Sequence, residues 1–69
     1  MFDYGKLEQL INEVFGSIEV FGKELGLTKQ RISSKLGGND EFTLSEIDKA
    51  VNLLNINPIE IPSYFFNVA

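Results

Sequence analysis

Glycine punctuates this chain at Gly16, Gly26 and Gly37-Gly38, and each time it closes a stretch with helical spacing of apolar residues. Such stops leave room only for short helices meeting at tight turns, because a residue of positive φ just past a helix end favours glycine. After each stop comes a residue suited to cap the next helix: Ser17 after Gly16, Thr28 after Gly26, and Thr43 after the Gly37-Gly38-Asn39-Asp40 turn. A hydroxyl at such a position accepts from amides two or three residues on, which would otherwise lack partners.

Between these marks the apolar periodicity predicts the helices. Leu7, Leu10, Ile11, Val14 and Phe15 form the stripe of a first amphipathic helix running roughly from Asp3 to Phe15. A second is expected over Ile18 to Leu25, with Glu19 near its positive end. A third runs from about Thr28 to Leu36, with Ile32 and Leu36 inward, Leu27 entering the core from the turn, and Lys29, Gln30, Ser33 and Ser34 outward. Thr43-Leu44-Ser45-Glu46 has the pattern of a reciprocal capping box, followed by a wide apolar face of Leu44, Ile47, Val51 and Leu54 with Ala50 and Leu53 beside it. Asn57-Pro58-Ile59-Glu60 reads as cap, first-turn proline and acid, opening a short fifth helix that Pro62 is expected to cut short. The apolar tail Tyr64-Phe65-Phe66 fits either a core or an anchor for a dimer or partner.

A chain of 69 residues is one domain, here 1–69, near the lower size at which a single core holds a fold without disulfides or metal. The hydrophobic share of 43% argues for a compact core rather than disorder. The fold class is therefore all-α, a compact bundle of five short helices. Cysteine and histidine are absent, which removes disulfides, thiol nucleophiles, the common zinc sites and the usual base near neutral pH. The chain reads as no enzyme, with neither cofactor nor metal. Asp40-Glu41 sits in an open glycine turn that would not shift carboxyl pKa values, and Gly37-Gly38 lacks the lysine and hydroxyl of a phosphate loop. No apolar run approaches the roughly 20 residues of a membrane span, and Met1-Phe2-Asp3 shows no signal sequence, so the expected location is cytoplasmic.

Net charge is -4, which weighs against duplex DNA as a partner because phosphate neutralisation supplies most non-specific affinity. The distribution is uneven. Thr28 to Gly38 holds three of the six basic residues (Lys29, Arg31, Lys35) and no acid, so this stretch carries +3 while the remainder carries -7.

In its five short helices, the second and third joined by a tight turn, the chain resembles the lambda-repressor-like (Cro/repressor) helix-turn-helix family. The residues that carry the likeness are Gly22, small within the second helix, then Gly26, Leu27 and Thr28 through the turn, and β-branched Ile32 in the third helix. Two positions depart: Ile18 stands where the family often has a phosphate-gripping Gln, and Gly22 where it usually has Ala, at a cost of about 1 kcal/mol of helix propensity. Over its whole length the chain is similar to the antirepressor (modulator-of-repression) type of regulator encoded beside the repressor gene in temperate phages of Gram-positive bacteria. That resemblance implies transcription regulation at a lysis/lysogeny switch in a bacterial host. The regulator would bind the DNA-binding domain of the cognate phage repressor and interfere with operator binding, itself a monomer or weak homodimer when alone. The alternative it implies is a Cro-like homodimeric repressor bound to operator DNA.

On either reading the third helix is the contact face, with Thr28, Lys29, Gln30, Arg31, Ser33, Ser34 and Lys35 as nucleic-acid-binding or repressor-contacting residues. Gln30 matches the adenine N6 and N7 pair, Ser33 and Ser34 suit either base type, and Lys29 and Arg31 suit phosphates or guanine. Lys35 is a phosphate contact or a solubilising charge; a merely solvated helix face is the plain alternative for the set. The following loop, Asn39, Asp40, Glu41 and Phe42, is the candidate partner interface. The acids Glu8, Glu13, Glu19, Glu24, Asp40, Glu41, Glu46 and Asp48 are solvated surface or a complement to a basic protein partner.

Overall fold

The computed structural model describes residues 2–68. Five α-helices follow in order: α1 (Gly5–Phe15), α2 (Ile18–Glu24), α3 (Lys29–Leu36), α4 (Leu44–Leu54) and α5 (Ile61–Phe65), with a 3₁₀ turn at Pro58–Glu60 leading into the last. The described residues contain no strand beyond an isolated antiparallel bridge between Phe2 and Val68, so the all-α five-helix class holds.

The ends fall where local chemistry stops each helix. Gly16 takes φ 83° after α1, and Ser17 accepts from the Val20 amide to start α2. Gly26, at φ 81°, reverses the chain between α2 and α3, while Thr28 accepts from the Arg31 amide. Both halves of the box at α4 are formed: Thr43 N–H donates to Glu46 Oε1 at 2.9 Å, and the Glu46 amide donates to Thr43 Oγ1 at 3.1 Å. Asn55, left-handed at φ 53°, ends α4.

Burial follows the predicted stripes with a few exceptions that tertiary packing explains. Leu7, Ile11, Phe21, Ile32 and Ala50 are fully buried, joined by Tyr4, Leu25, Leu54, Ile56 and Phe65. Val14 lies on the α1 stripe yet stays 51% exposed, because periodicity gives a side chain its direction but not a neighbour to cover it. Leu44 is 83% exposed: it opens α4 to one side of the line through Ile47, Ala50 and Leu54. The first helix begins at Gly5 rather than Asp3, since Asp3 is held outside it, donating its amide to Asn67 O at 2.6 Å and accepting from Gly5 N–H at 2.8 Å. Pro62 does not end the fifth helix. Asn57 and Pro58 open the 3₁₀ turn as expected, and Pro62 then sits in the first turn of α5, where its missing N–H leaves no bond unmade.

The tail divides its three rings. Phe65 is buried, Tyr64 is half-buried beneath the Lys6 ammonium at 4.6 Å, and Phe66 is exposed and meets Phe2 edge-on at 5.6 Å. Burial raises the Tyr4 hydroxyl pKa, and the Glu41 carboxylate adds to the shift.

Candidate interaction face on the third helix

Packing of α2 against α3 sets how far α3 stands out from the body. At Gly22 an added Cβ would fall 2.9 Å from Ile32 Cγ2 and 3.1 Å from Ile32 Cβ, so the absence of a side chain there lets the two helices approach. With Ile32 buried against Gly22, Thr28, Lys29, Gln30, Arg31 and Ser33 are exposed and Ser34 is half-buried. These side chains form one donor-rich outer surface. Thr28 contributes from its end, its oxygen already accepting the Arg31 amide at 3.2 Å.

Lys35 departs from the expectation of a phosphate contact or solubilising charge. Its side chain is 2% exposed, with Nζ 2.8 Å from Glu41 O, 3.0 Å from Glu46 Oε1 and 3.4 Å from Asp40 Oδ2, and 5.9 Å from the centre of the Phe42 ring. An ammonium has three N–H groups, and three oxygens surround it, so the charge is buried with its bonding needs met. It fastens the loop after α3 to the start of α4. Glu46 therefore serves both the cap and the ion pair. Burial acts to raise its pKa, but hydrogen bonds from the Thr43 backbone and from Lys35, with the Lys35 charge, outweigh that and hold it below the usual glutamate value.

The two other cations of this stretch are also paired. Lys29 Nζ lies 3.8 Å from Glu19 Oε2 on α2, and Arg31 Nη2 lies 3.7 Å from Asp40 Oδ2. The local excess of +3 in sequence is thus balanced in space by Glu19, Asp40 and Glu46. Sequence spacing alone did not show this, although Glu19 and Glu46 were visible as helix-start acids. In the loop, Asn39 and Glu41 are exposed and Asp40 is partly so, its Oδ1 accepting from the Glu41 amide at 3.0 Å. Phe42 is not an open interface residue: it is half-buried between Tyr4 at 5.3 Å and Phe65 at 5.5 Å, both edge-on, because the buried Lys35 draws the loop onto the core.

A shallow cavity of about 220 Å³ opens elsewhere, between Lys6, Gln9, Leu10, Glu13 and Tyr64. Among the described residues no group of three or more acids is gathered as a metal ligand set, and no helix is long and apolar enough to cross a membrane.

Five short helices around one core, with a donor-rich third helix whose two exposed cations each stand near a carboxylate, define a small all-α protein. The chain belongs to the family described as Protein of unknown function (DUF739), whose model matches residues 1–68. It is also similar to the modulator of repression (MOR) of the temperate bacteriophage TP901-1 from Lactococcus lactis, known from its solution structure: 39% identity, 96% of this chain and 89% of that chain covered, and a TM-score of 0.81. No curated protein matches.

Proposed function

We propose that this protein is a regulator of a phage lysis/lysogeny switch that binds the DNA-binding domain of the cognate phage repressor and thereby alters operator occupancy. The observation that carries this reading is the whole-chain similarity to a modulator of repression, at 39% identity over 96% of the chain. Under it, α2 and α3 form a helix-turn-helix whose outer face is turned toward another protein. The partner surface is Thr28, Lys29, Gln30, Arg31, Ser33 and Ser34 with Asn39, Asp40 and Glu41 beside them.

Electrostatics favours a protein partner over operator DNA. The chain carries -4 overall, and the two exposed cations of α3, Lys29 and Arg31, each face a carboxylate, which lowers what this face gains from phosphates. A basic protein surface is the complementary target, approached faster at low ionic strength.

The test is a mobility-shift series with operator DNA, the repressor and this protein. Loss of the repressor's shift on adding the protein supports the proposal. A shift by the protein alone identifies a Cro-like operator binder instead.

A further inference from the structure

The ion pairs along α3 have a consequence for which partners the face accepts. Asp40 is not a loosely placed surface acid. Its Oδ1 accepts from the Glu41 amide at 3.0 Å, and its Oδ2 lies 3.4 Å from the buried Lys35 ammonium, so the carboxylate is fixed before it meets Arg31 at 3.7 Å. Exposed ion pairs are usually weak because two long side chains must be immobilised together. Here one of the two is already held by a buried charge. Glu19, in the first turn of α2, stands 3.8 Å from Lys29 at the start of α3, an exposed pair on the side facing α2.

We propose that Glu19 and Asp40 are specificity-determining residues that mask the two exposed cations of α3, Lys29 and Arg31, against polyanions and so reserve this face for a protein partner. The inference rests on reading α3 as the interaction face. Its physical basis is simple: a phosphate approaching Arg31 or Lys29 meets a carboxylate at the same spot, and a cation already neutralised within the protein releases no counterion from DNA. A protein face loses less, since its own donors and cations bond to the same carboxylates that repel phosphate.

The test is fluorescence anisotropy of a labelled mixed-sequence duplex titrated with full-length protein over a range of salt. Unmasking by Glu19→Gln with Asp40→Asn is expected to raise duplex affinity about tenfold at low salt and to steepen the dependence of log K on log salt by about 1.8, near 0.9 for each phosphate neutralised. Adding Lys29→Ala and Arg31→Ala removes that gain. The control, Glu8→Gln with Glu13→Gln, makes the same change in net charge on α1 at residues paired with neither cation, and leaves the slope unchanged. Equal behaviour of the unmasked variant and the control overturns the proposal. If the Asp40 variant is poorly folded by circular dichroism, Glu19→Gln alone carries the test, with an expected steepening of about 0.9. Calorimetry of the unaltered protein with the repressor's DNA-binding domain separates the two ideas. Binding there without a gain in duplex affinity leaves the functional reading and removes the mask, and the reverse result does the opposite.

Discussion

Lys35 is the residue whose position most alters the meaning of its surroundings. On sequence it belongs with Lys29 and Arg31 as part of a basic helix; in the fold it is a buried cation among three oxygens, and it holds the loop Asp40 to Phe42 against α4. Removing one member of a buried ion pair leaves its partners unsatisfied, so Lys35→Ala is expected to cost about 3 kcal/mol, read as a lower urea midpoint. Lys35→Met keeps the stem and its packing and is expected to cost less than the alanine variant. Glu46 adds a pH signature to the same contact. Its folded pKa lies below the ordinary value of 4.5, so its contribution is fully present above that pH and fades as pH falls through the lower, folded value. Stability measured between neutrality and acid pH should therefore fall more in the unaltered protein than in Glu46→Gln, which lacks the titrating group. An equal fall in both would remove Glu46 from the acid response.

At the scale of the element, most helix boundaries are legible because their causes are local; the start of α1, set by the contact of Asp3 with Asn67, and the place of Pro62 within α5 are not. Ser17, Thr28 and Thr43 accept amides three residues ahead, and Gly16 and Gly26 take the left-handed turns that follow α1 and α2, all within a span the sequence displays directly. Thr43→Ala removes one side of the box and should lower stability by about 1 kcal/mol in chemical unfolding. What the sequence did not display depends on other elements. Leu44 and Val14 have the right residue type and spacing for burial but no neighbour that reaches them, while Lys35 has the wrong type and is buried because Asp40, Glu41 and Glu46 converge on it. Gly22 shows the same limit most sharply. Considered as a helix residue it is a defect that alanine would mend by about 1 kcal/mol. Against α3 it is a requirement, because alanine's Cβ would meet Ile32 Cγ2 at 2.9 Å. Gly22→Ala is accordingly expected to destabilise, by about 1 kcal/mol net of the propensity gain, and a rise in melting temperature would contradict the close packing of α2 on α3.

Across the whole molecule, the ten acids and six bases are arranged so that the basic stretch is neutralised where it folds, and the surplus of negative charge lies elsewhere. The candidate face on α3 is thus polar and hydrogen-bonding without being strongly positive. Its outer residues Lys29, Gln30 and Ser33 are identifiable from helical spacing, whereas the pairing that changes the electrostatics of this face is not, since it joins α3 to α2 on one side and to the following loop on the other. For a chain of net charge -4 meeting a basic protein surface, raising ionic strength should weaken binding chiefly by lowering the association rate constant. Gln30→Ala combined with Ser33→Ala should weaken such binding while leaving the fold intact, because both side chains are exposed. The most direct measurement is isothermal titration calorimetry of the purified protein with the DNA-binding domain of the phage repressor. Saturable binding at micromolar concentrations, weakened by the Gln30 and Ser33 substitutions, is the predicted result; no heat of binding at those concentrations, with a folded protein and a folded domain, would contradict the account.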